Sequence, residues 1–215
     1  MTLKLVLESE LMPGIEFFFD PVCPWAWITS RWVEEVRRQR ALEVTWRFIG
    51  LRIINEHRDY DHDFPSFYLD LHTTGLRLLR VAAALRETAG PDAIGPYYSA
   101  IGGILHVDRG QVDPGTVLAE LGHDPALAAA ASETSWDDVV RADGDDALAR
   151  TGRDVGTPII TIDPPNGPSF FGPVISRVPR GRDAVELWES VERLARFPGF
   201  AEVKRAVRER PEPER

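Results

Sequence analysis

The chain has 215 residues, which is enough for one well-packed core or for one domain that carries a large insertion. Its composition, with 43% hydrophobic and 27% charged residues, is ordinary for a globular protein. The net charge of −9 argues against a nucleic acid or an anionic membrane as the main partner. No stretch approaches the roughly 20 apolar residues needed to cross a bilayer, so no membrane partner is expected.

The first 13 residues precede the first clear strand and are expected to form either an extra edge strand or a loosely held leader. Their apolar run, residues 3–7, is interrupted by Glu8 and Glu10, which makes it too short and too acidic for a signal peptide. The chain contains a single cysteine, Cys23, and therefore has no disulfide framework. These features predict a cytoplasmic protein.

A strand, a helix and a second strand are predicted at the start of the chain. Residues 15–19 form a short run rich in aromatic side chains, which is typical of a buried strand, and Asp20 and Pro21 end it. Apolar residues then recur at helical spacing to about Arg40. Residues 43–49 alternate between apolar and polar side chains, as a strand does. This order predicts a parallel, right-handed strand–helix–strand unit.

Cys23 lies at the junction between the first strand and the helix. Pro24 suits the first turn of a helix, where its missing N–H group would have no partner. The unpaired N–H groups and the positive end of the helix dipole can lower a thiol pKa from about 8.5 to roughly 3.5–7.5. The position therefore predicts a thiolate at neutral pH. The alternative is that Cys23 is only a small buried hydrophobic residue.

The segment around Cys23 resembles a known active site. Residues 23–26, Cys-Pro-Trp-Ala, follow Phe-Asp-Pro and precede Trp-Ile-Thr-Ser-Arg-Trp. This segment resembles the active site of the DsbA-like thioredoxin superfamily, and in particular that of the actinobacterial mycothiol-dependent nitroreductases. Members of that group carry a resolving cysteine where this chain has Ala26. With one thiol, a dithiol cycle is excluded within a monomer.

Residues 56–154 are predicted to be helical, with breaks near Gly90, Gly110 and Gly122 and with no convincing strand. They begin with a polar loop, residues 56–63, that contains His57 and His62. These histidines and the aspartates beside them could hold a metal, but an exposed loop is favoured, and no metal is expected.

After the helical region, residues 156–162 are predicted to form a strand that begins at a proline, and residues 169–172 to form its hairpin partner. A final helix is predicted at 181–196, and residues 211–215 are expected to fray. The fold class is therefore α/β: a thioredoxin fold with a large all-helical DsbA-type insertion. The predicted divisions are the first half of the thioredoxin fold at 1–55, the insertion at 56–154 and the second half at 155–215.

The resemblance implies further site residues. In thioredoxin-like proteins a cis-proline packs against the nucleophilic cysteine, which implies that Thr157 and Pro158 form the wall facing Cys23. Asn55 matches an asparagine near the active site of the nitroreductase group; the alternative is a loop cap. The other residues implied to contact substrate or thiol are Pro24, Trp25, Ala26 and His106. Trp25 could equally be a core or interface aromatic, and a structural histidine is the better interpretation of His106.

The function indicated is a thiol-dependent oxidoreductase. Cys23 would react through a mixed disulfide with a low-molecular-weight thiol, which the resemblance implies to be mycothiol. The substrates would be disulfides or small electrophiles such as nitroaromatics. One alternative is an enzyme like the kappa-class glutathione transferases or the 2-hydroxychromene-2-carboxylate isomerases, which usually have serine at the thiol position. The other alternative is a redox-inactive binding scaffold. No nucleic-acid partner is expected, and a homodimer is possible.

Overall fold

The computed structural model describes residues 14–205 and 209–215. The edge strand or leader considered for residues 1–13 therefore lies outside the described residues. In the part of the chain that is described, none of the helices combines the length and the apolar character that crossing a bilayer requires.

Within residues 14–205 and 209–215, four strands form one mixed sheet in the order β2–β1–β3–β4. The strand β1 pairs in parallel with β2, whereas β3 is antiparallel to both β1 and β4. Pairing of β3 begins at Ile159 rather than at residue 156 as predicted, one residue after a proline that has no N–H group to donate. The strands are β1 (Gly14–Phe19), β2 (Glu43–Phe48), β3 (Ile159–Ile162) and β4 (Ser169–Phe171).

Helices and helical turns, without a strand, make up the described segment between β2 and β3. The α-helices in the part of the chain that the structure describes are α1 (Pro24–Arg37), α2 (Leu51–Ile54), α3 (Tyr60–Asp63), α4 (Tyr68–Ala89), α5 (Ile94–Gly102), α6 (Pro114–Glu120), α7 (Asp137–Thr151) and α8 (Gly181–Ala195). A π-helical turn spans Gly103–Val107, and 3₁₀ turns span Pro91–Ala93, Pro125–Ser132 and Thr134–Trp136. The predicted α/β fold with a helical insertion is confirmed.

The structure differs from the sequence-based prediction in two details of the helices. The helix α1 ends at Arg37 rather than near residue 40. The polar segment 56–63 is not a plain loop, because the Asp59 side chain accepts a hydrogen bond from the N–H group of Asp61 and caps the short helix α3. Of its two histidines, His62 contacts the Asp59 carboxylate, at 2.8 Å, on the exposed surface.

Two hydrophobic clusters cover the two faces of the sheet. Phe17 and Phe19 point to one face and belong to the large cluster that contains α1, α4 and α8. Phe18 points to the other face, where it packs with Ala147 and Leu148 of α7. All three phenylalanines are fully buried, and each contributes roughly 1.5–3 kcal/mol of hydrophobic stabilisation. Because side chains alternate along β1, this one strand packs against helices on both faces of the sheet.

A cluster of charged side chains fastens α7 to the sheet. Arg47 of β2 contacts three carboxylates, those of Glu16, Asp143 and Asp146. Asp143 also accepts a hydrogen bond from the N–H group of Phe48, at 3.1 Å. Only 18% of the Arg47 side chain and 9% of the Asp143 side chain are exposed. Removal of one partner would therefore leave charges buried without compensation.

The prediction that residues 211–215 fray was wrong. The N–H group of Glu212 donates to the carbonyl oxygen of Ser176 at 2.7 Å. The carbonyl oxygen of Glu214 accepts from Trp27 Nε1 at 3.1 Å, and the main-chain oxygen of Arg215 accepts from Arg180 Nη2 at 2.7 Å. These bonds attach the segment to α1 and to the loop before α8, a contact that local sequence does not reveal.

Candidate active site

Cys23 stands immediately before α1 and serves as its N-cap residue. Its backbone is extended, with φ −80° and ψ 112°, and Pro24 occupies the first turn of the helix. The Cys23 carbonyl oxygen accepts from the N–H group of Trp27 at 3.0 Å, which begins the helical hydrogen-bond pattern. On the other side, the Cys23 N–H group donates to the carbonyl oxygen of Asp20 at 3.1 Å. A tight turn, residues 20–23, therefore places the thiol at the carboxyl end of β1.

The Cys23 thiol is buried and protonated in this arrangement. Only 7% of the residue is exposed, and Sγ–H donates to the carbonyl oxygen of Thr157 at 3.4 Å. Burial raises the pKa of the thiol to about 12, and the negative charge of Asp20 adds to the rise. The N–H groups of Ala26 and Trp25 act in the opposite direction, as expected for a helix N-terminus. The prediction of a lowered pKa was wrong for this conformation, because the loss of solvation outweighs these donors.

Asp20 is a second buried titratable group in the same turn. Its side chain is fully buried, and each carboxylate oxygen accepts one backbone N–H group: Oδ1 from Val22 at 3.0 Å and Oδ2 from Leu51 at 2.7 Å. Burial raises the pKa of Asp20 to about 7, although the two N–H groups lower it. The carboxyl group thus joins the Cys23 turn to the first residue of α2. The sequence-based prediction did not single out Asp20, although its position directly after an apolar strand was visible.

The segment before β3 forms a wall beside the thiol. The Thr157–Pro158 peptide bond is cis, and 4% of Thr157 is exposed. The Thr157 hydroxyl donates to the carbonyl oxygen of Phe18 at 3.1 Å, and the Pro158 carbonyl oxygen accepts from the N–H group of Gly172 at 2.9 Å. The structure therefore brings Thr157 against Cys23, although 134 residues separate them.

The residues that follow Cys23 differ in accessibility. Ala26, at the position of the resolving cysteine, is fully buried. Pro24 and Trp25 are half-buried, and the Trp25 ring packs against the main hydrophobic cluster. Trp25 therefore combines a core contact with an exposed portion beside the thiol.

Asn55 serves as a local cap in this structure. Its Nδ2 donates to the carbonyl oxygen of Leu51 at 2.9 Å, at the end of α2. Leu51 in turn donates its N–H group to Asp20, so Asn55 lies two hydrogen bonds from the carboxylate. This geometry supports the capping alternative and also places the residue near the active-site turn.

His106 contacts the active-site turn from the insertion. Its Nε2 lies 2.8 Å from the carbonyl oxygen of Pro21, and because a carbonyl oxygen only accepts, Nε2 carries the proton. The imidazole stacks on Trp27, with ring centroids 5.7 Å apart, and burial lowers its pKa. His106 is therefore neutral and holds the turn in place, in agreement with the structural interpretation.

An aromatic cluster next to the turn escaped the sequence-based prediction. Tyr60, Phe64, Tyr68 and His72 recur every fourth residue, a spacing that was visible in the sequence. The Tyr60 hydroxyl lies 2.9 Å from His72 Nδ1, and the Tyr68 ring centroid lies 5.2 Å from that of His72. One turn further along α4, a Cβ atom at Gly75 would lie 2.5 Å from Asp20 Oδ1. The cluster therefore borders the active-site turn.

The fold resembles those of solved DsbA-type proteins. The chain superposes on a structure described as a probable DsbA oxidoreductase from Streptomyces coelicolor with a TM-score of 0.55, 15% identity and coverage of 85% of this chain and 89% of the other. It superposes on a 2-hydroxychromene-2-carboxylate isomerase with a TM-score of 0.55, 14% identity and coverage of 83% of this chain and 93% of the other. For the thiol-disulfide exchange protein alpha-DsbA2 of Wolbachia pipientis, the TM-score is 0.51, the identity 12% and the coverage 85% and 81%. The chain therefore has a thioredoxin fold of the DsbA type.

Sequence similarity assigns the chain to a family. Residues 22–205 match the model of the Rv2466c-like family, described as mycothiol-dependent nitroreductase Rv2466c, and the chain belongs to that family. It is 34% identical over 199 residues to the uncharacterized protein Rv2286c of Mycobacterium tuberculosis (strain ATCC 25618 / H37Rv), an alignment that covers 90% of this chain and 82% of that protein. The resemblance found in residues 23–26 is therefore confirmed at the level of the family.

Proposed function

We propose that this protein is a cytoplasmic monothiol oxidoreductase in which Cys23 reduces disulfides, or other small electrophiles, at the expense of mycothiol. The observation that carries the proposal is the position of the chain's only thiol, before α1 and 3.4 Å from the Thr157 carbonyl oxygen. The family name supports a small thiol as cosubstrate. With Ala26 in place of a second cysteine, an external thiol must complete the cycle.

The proposed reaction has two thiol–disulfide exchanges. In the first, the Cys23 sulfur attacks the mycothiol sulfur of a mixed disulfide, a Cys23–mycothiol disulfide forms, and the substrate thiolate leaves and takes up a proton. In the second, free mycothiol as its thiolate attacks the mycothiol sulfur of that adduct and releases the Cys23 thiol. The substrate gains two electrons, and two mycothiol molecules end as one disulfide.

Deprotonation of Cys23 is the demanding step in this scheme. The thiol pKa of about 12 belongs to a buried sulfur beside the charge of Asp20. Access of water and substrate to the sulfur would lower that pKa, since loss of solvation is its largest cause. Protonation of Asp20, whose own pKa is about 7, would lower it further. The proposal thus requires an opening of the site around Cys23 before the thiolate forms.

We assign the remaining site residues to substrate and thiol binding. The exposed portion of Trp25 would stack on a flat substrate such as a nitroaromatic compound. The main chain at Thr157 would pair with the thiol cosubstrate once the Cys23 bond to the Thr157 carbonyl oxygen is released, and Pro158 would form the wall beside it. Asn55 would contact substrate from the end of α2. Pro24, Ala26 and His106 would line or support the thiol-binding region without reacting.

One observation favours a second candidate. A buried thiol with a raised pKa fits an enzyme of the isomerase or transferase type, or a binding scaffold, that leaves Cys23 unused. Such a protein would bind a thiol cofactor or ligand without forming a mixed disulfide. The two candidates therefore differ in whether a covalent adduct appears at Cys23.

The test is to incubate the protein with a mixed disulfide of mycothiol and a chromophoric thiol, followed by free mycothiol. Intact-mass analysis should show a mycothiol adduct at Cys23 that disappears on the second addition, with catalytic release of the chromophore. Cys23→Ser, the matched control, should show neither. Absence of an adduct in the wild type under conditions that alkylate Cys23 would contradict the proposal and favour the second candidate. A parallel series with glutathione identifies the preferred thiol.

A further inference from the structure

Trp27 lies at a junction of three parts of the fold. It is one helical turn after Cys23 on α1, and 1% of it is exposed. From the insertion, His106 stacks on its ring and bonds the Pro21 carbonyl oxygen. From the C-terminal segment, the Glu214 carbonyl oxygen accepts its Nε1–H group at 3.1 Å. The active-site helix, the insertion and Glu214 therefore meet at one indole.

Residues 213–215, called here the strap, bridge the two sides of this junction. On one side, Arg180 binds the Arg215 main-chain oxygen at 2.7 Å and lies 3.4 Å from a Glu214 carboxylate oxygen. On the other side, the Arg215 guanidinium forms an ion pair with Asp108, directly after the π-helical turn Gly103–Val107. The strap thus joins the second half of the thioredoxin fold to the insertion across α1.

Two consecutive glycines are shaped to this junction. A Cβ atom at Gly102 would lie 2.3 Å from Trp27 Cε3, so the insertion backbone rests directly on the indole. A Cβ atom at Gly103 would lie 3.0 Å from Arg215 Nη1, so the neighbouring residue leaves room for the strap. The close approach at Gly103 and the ion pair with Asp108 involve the same guanidinium, the first mainly through Nη1 and the second through Nη2. A π-helical turn at this point adds a feature that is frequent at functional sites.

We propose that the strap is a latch that holds the insertion against the active-site helix, and that its release opens the site around Cys23. This inference rests on the proposed function, which needs a thiol that substrate can reach. In the latched state His106 holds the Pro21 carbonyl oxygen and the thiol is 7% exposed. With the Arg215 ion pair broken, the π-helical turn loses its tie to the strap. It keeps the packing of Ile104, Leu105 and Val107 on the main hydrophobic cluster and the contacts of His106 and Gly102 with Trp27 and Pro21. The turn can then move away from the active-site turn more often.

The test uses variants that weaken the latch without changing the active-site turn. Arg215→Asp and Asp108→Arg each replace the ion pair with like charges, whereas the double variant restores a pair of opposite orientation. Gly103→Val displaces the Arg215 side chain by volume alone, since its closest neighbour there is the end of a flexible side chain. Arg182→Ala removes an exposed ion pair with Glu186 on α8 and is the matched control. Any affinity tag is placed at the N-terminus.

The measurement is the rate of Cys23 alkylation by iodoacetamide at constant pH and low salt. Each single latch variant should react about two- to fivefold faster than the wild type, the range expected from an exposed ion pair. The double charge-swap variant and Arg182→Ala should react at the wild-type rate. In the single latch variants, the rate of hydrogen exchange at 103–107 should also rise, while the midpoint of urea unfolding stays nearly constant.

Equal alkylation rates in all variants, or a charge-swap variant no slower than its single parents, would overturn the latch. The outcome is separate from that of the proposed function. If alkylation accelerates but the wild type forms no mycothiol adduct, the latch stands and the proposed reaction fails. If the adduct forms in the wild type but alkylation is insensitive to the strap, the reaction stands and the latch fails.

Discussion

Replacement of Asp20 with asparagine is expected to remove a large part of the pH dependence of folding stability. The Asp20 carboxyl group is fully buried, and its pKa is about 7 instead of its ordinary value of 3.8. The difference of about 3 units corresponds to about 4 kcal/mol at 1.36 kcal/mol per unit. Because the folded state binds the proton more tightly, this free energy stabilises the fold at low pH.

The direction follows from the two pKa values. The stabilisation is fully present below about pH 4 and is lost as the pH rises through 7, since the unfolded chain ionises first. Asparagine is neutral and similar in shape to the protonated acid, so the variant carries no such loss. We therefore expect the free energy of unfolding of Asp20→Asn, relative to that of the wild type, to rise by up to about 4 kcal/mol between pH 4 and pH 8.

Urea unfolding at pH 4, 6 and 8, followed by tryptophan fluorescence, measures this difference. Asp145→Asn, an exposed acid paired with Arg153, is the control and should show no comparable shift. The reasoning is refuted if Asp20→Asn is less stable than the wild type at pH 8 by more than at pH 4. That result would mean that the ionised carboxylate and its bonds to Val22 and Leu51 stabilise the fold. In the same variant, alkylation of Cys23 should show a lower thiol pKa, because a neighbouring negative charge is gone.

Three further predictions concern the active-site helix and its supports. Ala26→Cys should form an intramolecular disulfide with Cys23 on mild oxidation, seen as the loss of both free thiols; two persistent thiols would contradict it. Arg47→Met should lower the unfolding free energy by about 3 kcal/mol, because its three carboxylate partners lose their counter-charge, and a loss below about 1 kcal/mol would mean that water compensates them. Gly102→Ala should cost about 1–3 kcal/mol through its contact with Trp27, whereas Gly144→Ala, with a nearest contact of 3.9 Å, should not destabilise.

Much of the fold could be predicted from local patterns. The apolar run before Asp20, the alternation at 43–49 and the helical spacing of α4 and α7 gave element types that the structure confirms. Element ends were less accurate, since α1 stops at Arg37 and β3 begins at Ile159. Helix ends depend on individual caps and on contacts with other segments, which periodicity does not contain.

For the candidate site, the sequence indicated the family, whereas the contacts of individual residues required the tertiary structure. Residues 23–26 indicated the family, which the match at 22–205 confirms. The contacts of Asn55 and His106 were visible only in three dimensions, where each makes a hydrogen bond that defines its local role. The strap was mispredicted because its partners, Trp27, Asp108 and Arg180, lie far from it along the chain.

The sequence by itself determined the number of thiols, the loss of a second cysteine at Ala26 and the place of Cys23 before a helix. These properties follow from residue identity and short-range spacing. The tertiary structure decided the state of that thiol. Burial and the charge of Asp20 raise the pKa of the thiol to about 12, and the helix N–H groups only partly oppose this rise. The thiol also donates a hydrogen bond to the Thr157 carbonyl oxygen. Solvation depends on what the whole chain packs around an atom, and local sequence records only the atom's neighbours along the chain.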